Sequence, residues 1–235
     1  MTFSEDEQRV SDQALAYAKA NRRAIARRLT DPKIYVPEEH PVSVFMAGSP
    51  GAGKTEASIE LIAKIGTPVI RIDPDELRME CPGYNGANAY LFQPAVSVLV
   101  EKIHDEALER GQSFLLDGTL SNYDRARRNV ERSLGRRRTV QILYVYQEPM
   151  LAWEFVVARE AAEGRRIKPE DFVKQYFAAR EVVNRLKREY GSAIAVDLLL
   201  KNNDNSNRMY KAGVDQIDHH IPEKYSRSDV ERTLK

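Results

Sequence analysis

FMAGSPGAGKTEAS, residues 45–58, decides how the rest of the chain is read. Gly48, Gly51, Gly53, Lys54 and Thr55 satisfy the spacing G-x-x-x-x-G-K-[ST] without departure. Glycines so placed let a turn wrap around an anion with its N–H groups pointing inward, and a helix that follows adds the positive end of its dipole. The flanks agree: VSVFMA, residues 42–47, reads as a buried strand, and TEASIELIAK, residues 55–64, is rich in helix formers. That strand–loop–helix setting gives the spacing its meaning. The turn Gly48, Ser49, Pro50, Gly51, Ala52, Gly53, Lys54, Thr55 is thus a phosphate cradle for ATP, with Lys54 reaching the β- and γ-phosphates and Thr55 a ligand of Mg2+.

Working outward, short apolar β-type runs alternate with longer amphipathic stretches from Val42 onward, the pattern of parallel strands crossed over by helices. Strands are expected at Val42 to Ala47, Val69 to Ile72, Ser113 to Asp117, Thr139 to Tyr146 and Ile194 to Leu200. Helices are expected near Thr55 to Lys64, Asn88 to Arg110, Tyr123 to Leu134, Met150 to Glu163 and Pro169 to Tyr190. The fold class is α/β, a three-layer α/β/α sandwich on a mainly parallel five-stranded sheet. Ser4 to Leu29 reads as an appended helix, N-capped by Ser4, with basic side chains toward its C-terminal end. The proline-rich TDPKIYVPEEHP then links it to the core. Residues 1–40 are therefore taken as helix and linker, 41–200 as the core and 201–235 as a polar tail opening with KNNDNSN.

Composition narrows the partners. In 235 residues, basic and acidic side chains nearly cancel to a formal net charge of +1, so the whole-molecule field offers no strong attraction for nucleic acid or an anionic membrane. The one cysteine, Cys81, has no internal disulfide partner, which fits a reducing, cytoplasmic compartment. The N-terminus is polar and acidic and no run approaches eighteen apolar residues, so a soluble, unprocessed protein is expected.

Three further stretches carry candidate chemistry. RIDPDELR, residues 71–78, puts Asp73 and Asp75 at the carboxyl end of a strand, where ligands bind in open α/β sheets. Asp75 there is suited to accept the proton of an attacking hydroxyl, or equally to serve as a first-turn acid, while Asp73 is suited to cap the turn made by Pro74. FLLDGTL, residues 114–120, offers Asp117 as a magnesium ligand through water or as a loop anchor, and Thr119 as a substrate contact. AREAAEGRRIKPEDF, residues 158–172, places Arg159, Arg165, Arg166 and Lys168 near a helix junction at Gly164, either as a lid gripping the γ-phosphate or as a solvated basic turn. The seven arginines of residues 125–138 are read as a solvated helix face, His104 as a surface or core residue, and the adjacent His219 and His220 as no metal site. Tyr84 and Tyr90, in the loop MECPGYNGANAYLF, are suited either to stack on a ring of a substrate or to pack on the neighbouring helix.

Taken together, SPGAGKT, IDPDELR, the helix carrying Glu101, LLDGTL and the Arg159/Arg166 lid resemble the zeta toxin family of P-loop kinases, from about Val42 to Leu200. Members are toxins of toxin–antitoxin pairs that phosphorylate the 3′-hydroxyl of UDP-N-acetylglucosamine. The resemblance implies that Lys54 and Thr55 bind ATP and magnesium, that Asp75 is the catalytic base, that Glu101 and Thr119 contact the nucleotide-sugar, and that Arg159 and Arg166 grip phosphate. Pro74 departs from the acidic or polar residue usual between the two aspartates. The first helix is too short for an intact three-helix antitoxin, so a separate antitoxin protein is implied. Two other readings stay open: a P-loop kinase of another hydroxyl, such as a polynucleotide end or a metabolite, and a non-catalytic ATP-dependent regulator.

Overall fold

The apolar runs after residue 40 alternate their side chains between two helix-covered faces, so they are buried along nearly their whole length. In β1 (Val42–Ala47), Val44 and Met46 point to one face and Phe45 and Ala47 to the other. The computed structural model describes residues 3–164, 167–204, 206–222 and 225–234. Its sheet also contains β2 (Ile70–Ile72), β3 (Phe114–Leu116), β4 (Thr139–Tyr146), β5 (Ala195–Lys201) and β6 (Asn207–Lys211), in the order β2-β3-β1-β4-β5-β6. The first five strands are parallel to their neighbours, and β6 runs antiparallel to β5. The sheet therefore has six strands where five were expected. All five residues of β6 are exposed, so the strand has no hydrophobic alternation and forms through its pairing with β5.

The helical layers are unequal. Among the described residues one face carries α2 (Lys54–Ile65) alone, whose Ala57, Leu61 and Ile62 pack on Val44, Met46, Leu115, Leu143, Val145 and Leu199. The other carries α1 (Glu5–Leu29), α4 (Gln93–Glu109), α5 (Tyr123–Leu134), α6 (Pro149–Glu163), α7 (Pro169–Tyr190) and α8 (Arg227–Thr233). α1 begins at a capping box, in which Ser4 and Glu7 satisfy each other's backbone N–H groups. It lies along α4 and buries Ala14, Ala18, Ile25 and Ala26 in the main core. The residues after β6 also reach that core through Val214, Ile217, Ile221 and Val230.

α5 and α7 occupy the spans expected of them. Asn122 caps the first by accepting a hydrogen bond from Arg125 N–H, and Pro169 with Gly191 bracket the second. The stretch expected as one helix from Asn88 is instead a 3-10 turn, Ala89–Phe92, followed by α4. Pro94 lacks an N–H and so stands in the first turn of α4. Its neighbour in the fold, α3 (Pro74–Leu77), is a single turn that continues as 3-10 helix through Glu80.

His104 of α4 is a core residue, 2% exposed, with its ring centroid 4.7 Å from that of Phe114 and 6.3 Å from that of Phe45. Arg132 lies 3.3 Å from Nδ1 and can only donate, so Nδ1 accepts and the imidazole is neutral. Burial, reinforced by the charges of Arg132, Arg138 and Arg136, lowers its pKa to about 3. The unfolded chain, with a histidine near 6.5, therefore binds the proton that the folded one refuses. Stability falls as the pH drops through the window from 6.5 to about 3, by roughly 1.4 kcal/mol per pH unit at most. Urea titrations between pH 7 and pH 4 should show that slope in the native protein and a shallower one in His104→Leu.

Candidate active site

Parallel pairing sets three strand ends side by side at one edge of the molecule. β1 lies between β3 and β4, so the loop that leaves it opens where the chain connections diverge to either side, the favoured ligand crevice of open α/β sheets. Asp117 N–H, just past β3, donates to Ile72 O of β2 at 2.9 Å, and Gly48 N–H, just past β1, donates to Thr119 O at 3.3 Å. These bonds bring RIDPDELR, LLDGTL and the glycine turn together from positions far apart in the chain.

The glycine turn is packed too closely for side chains. Gly48 has φ +134°, and a Cβ there would meet Val145 O of β4 at 2.3 Å; Gly51 has φ +72°, and its Cβ would lie 2.0 Å from Ala152 O of α6. Gly53, also left-handed at φ +79°, ends the turn as the residue before α2. Ser49 and Ala52 are buried beneath it, Pro50 lies between Ser49 and Gly51, and Thr55 is exposed in the first turn of α2. Lys54 as a whole is half-buried, yet its ammonium folds back inside to donate to Ser49 O at 2.6 Å. Burial lowers its pKa to about 8, with the charge of Arg159 acting in the same direction and those of Asp117 and Asp75 opposing it. An ammonium so placed gains most from an anion brought to it.

Across the crevice, Asp73 is the N-cap of α3 and accepts Asp75 N–H at 2.7 Å. The Asp75 carboxylate is hydrogen-bonded by Arg78 and lies 3.8 Å from Arg159 Nη1 of α6. Arg78 also donates to Gln93 at 3.2 Å, at the start of α4. Lys54 is therefore acted on by the charges of Asp75, Asp117 and Arg159 together, and Asp75 and Arg159 face each other at 3.8 Å. Thr119 is half-buried beside the glycine turn, with its hydroxyl 2.9 Å from that of Ser121. Glu101 is exposed midway along α4, which packs beside α3. Arg165 and Arg166 lie outside the described residues.

The donors fit a magnesium ion. Thr55 provides a hydroxyl and Asp117 a carboxylate, both hard oxygen ligands, and Ser58 Oγ joins the two regions, 2.8 Å from Thr55 O and 3.2 Å from Asp117 Oδ2. Among the described residues no group of three or more His, Cys, Asp or Glu side chains is placed to hold a metal.

Two residues that carry this geometry, Arg71 and Arg78, were not assigned as candidates from the sequence, although both stand within RIDPDELR. The tyrosines of the following loop are occupied by the protein: Tyr84 packs edge-on against Phe92 at 5.5 Å, and Tyr90 lies against Phe3 and hydrogen-bonds Glu7.

The zeta toxin family profile matches residues 25–215. No curated relative matches the sequence. Among solved structures, the chain is similar to one from the PezAT chromosomal toxin–antitoxin system of the human pathogen Streptococcus pneumoniae, with 16% identity and a TM-score of 0.65 over 99% of this chain and 94% of that one. It is also similar to the AvrRxo1-ORF1:AvrRxo1-ORF2 complex with sulphate ions, at 15% identity and a TM-score of 0.58 over 90% of this chain and 70% of that one. The same pair with ATP gives 15% identity and a TM-score of 0.56 over 86% and 65%. At these identities the likeness establishes the fold.

Gly51→Ala tests the cradle. The left-handed backbone and the approach of Ala152 O should together cost about 1–3 kcal/mol. A lowered melting temperature with loss of ATP binding in calorimetry is the expected result; native values for both would show that the turn tolerates a side chain.

Proposed function

The chain belongs to the zeta toxin family, and we propose that it is an ATP- and magnesium-dependent kinase that transfers the γ-phosphoryl group to the 3′-hydroxyl of UDP-N-acetylglucosamine. In this reading it acts as a toxin in the cytoplasm and is restrained by a separate antitoxin protein. The observation that carries the reading is the convergence of Lys54, Asp75, Asp117 and Arg159 on one crevice at the strand ends. Phosphoryl transfer asks little else of a protein than such positioning and charge neutralisation. The AvrRxo1 pair has been determined with ATP, and the PezAT protein comes from a toxin–antitoxin system, which supports the nucleotide and the partner class.

The roles follow from the side chains. The N–H groups of the 48–55 turn and the Lys54 ammonium hold the β- and γ-phosphates. Thr55 and Asp117 would hold magnesium, which supplies neutralisation of phosphate charge. Asp75 orients the acceptor hydroxyl and takes its proton as the oxygen bonds to the γ-phosphorus; the bond from that phosphorus to the β–γ bridging oxygen breaks, and ADP leaves. Arg159 pairs only loosely with Asp75, at 3.8 Å, so an incoming γ-phosphate with three charged oxygens draws its guanidinium away. The family resemblance gives Arg166 the same phosphate-gripping role, and Glu101 and Thr119 contact the sugar nucleotide.

Mass spectrometry after incubation with magnesium-ATP and a panel of UDP-sugars tests the reading. UDP-N-acetylglucosamine heavier by one phosphate is expected with the native protein, with a rate about 10²–10⁴-fold lower for Asp75→Ala. Full transfer by Asp75→Asn alongside loss in Lys54→Ala would remove Asp75 as the base. No phosphorylated sugar nucleotide, from protein that binds ATP, would move the acceptor to nucleic-acid ends or other metabolites.

Arg159→Ala should lower kcat by about a hundredfold with little change in the KM for ATP, and Arg159→Lys should recover only part of it, because lysine lacks the planar fork. Equal losses in kcat/KM and ATP affinity would instead make Arg159 a ground-state nucleotide contact.

A further inference from the structure

Ile70 and Ile72 point from β2 into the helix-rich core, so Arg71 between them points to the opposite face, toward α2. Its guanidinium meets four acceptors there. Nε donates to Ser58 Oγ at 2.9 Å, Nη2 to Asp73 Oδ2 at 2.5 Å and to Asp117 Oδ2 at 2.9 Å, and Nη1 to Glu76 Oε1 at 2.5 Å. The side chains of Arg71, Asp73 and Asp117 are only 12%, 8% and 6% exposed, so the bonds among these three form in a largely dry setting where geometry is firmly held, whereas Glu76 closes the set from an exposed position.

Each partner leads to a different part of the site. Ser58 lies against Thr55 O in the first turn of α2, Asp117 directly follows β3, and Asp73 caps the turn that carries Asp75. The hydrogen bond from Arg71 to Asp117 falls on Oδ2, which also lies 3.2 Å from Ser58 Oγ. One guanidinium faces three carboxylates, Asp73, Glu76 and Asp117.

We propose that Arg71 is a positioning residue of the transfer: it fixes Asp117 by one oxygen for the magnesium that Asp117 and Thr55 would hold, and it fixes Asp75 through Asp73. The proposal rests on the kinase reading given above. Lysine is no substitute, because a single ammonium with three donors does not span Ser58, Asp73, Asp117 and Glu76 at once.

The test reads nucleotide binding as well as turnover. ATP affinity of the native protein, Arg71→Met and Arg71→Lys is measured by calorimetry over a magnesium titration and in EDTA. For Arg71→Met the magnesium concentration giving half of the tightening should rise by about tenfold or more, as for other groups that orient a metal ligand, with metal-free ATP affinity unchanged. Arg71→Lys should show a smaller shift. kcat for the acceptor should fall with the KM for ATP unchanged, and the effect of Arg71→Met on magnesium should largely vanish in an Asp117→Asn background. Native magnesium dependence and kcat in a folded Arg71→Met, or full additivity with Asp117→Asn, would overturn the proposal and leave Arg71 a structural ion-pair partner. If Arg71→Met does not fold, Arg71→Lys decides on the same readouts. Absence of any phosphorylated acceptor with the native protein would sink the kinase reading; the magnesium arm needs only nucleotide and still decides Arg71.

Discussion

A turn that binds phosphate with its own N–H groups must be held from behind, because every backbone group aimed at a ligand is one that no secondary structure secures. Here the support is close packing. The backbone of Gly48 lies against Val145 of β4 and that of Gly51 against Ala152 of α6, at separations no Cβ could share. The bond from Gly48 N–H to Thr119 O ties the same turn to the loop that follows β3 on its other side. β1 must therefore be a central strand with parallel neighbours on both sides, and the rest of the sheet is arranged around that requirement.

The unequal helical layers follow from it. α2 leaves directly from the glycine turn and covers one face with a small apolar cluster, and the largely buried side chains of Arg71, Asp73 and Asp117 meet at the strand ends on that side. The opposite face carries most of the hydrophobic burial, including α1 and the segments after β6, and supplies the rigidity on which the crevice rests. Charged groups from separate elements meet at these strand ends. Lys54, Asp75 and Arg159 come from three different elements, and their mutual distances are set by how α2, α3 and α6 pack, with no contribution from local sequence.

Much of this was legible in the residues themselves. The cradle is a local pattern of glycines, lysine and threonine with a strand before and a helix after, so spacing alone suffices. α5 and α7 matched because their ends carry explicit chemistry in Asn122, Pro169 and Gly191. β6 was not legible, since a fully exposed strand leaves no period to read, and the start of α4 was placed too early because the apolar pattern runs through a 3-10 turn before Pro94. The order of motifs along the chain pointed to the family, which the match over residues 25–215 bears out.

What the sequence by itself determined is the α/β class, the phosphate turn and the set of carboxylates and arginines from which a site could be made, because each is a matter of composition and short-range spacing. Which of them meet was decided only by tertiary structure. Arg71 has its partners 2, 5, 13 and 46 residues away, and Asp75 reaches Arg159 across the crevice from another helix. Contacts of that separation depend on strand order and on which face of the sheet each helix covers, and those are set by burying apolar area over the whole chain.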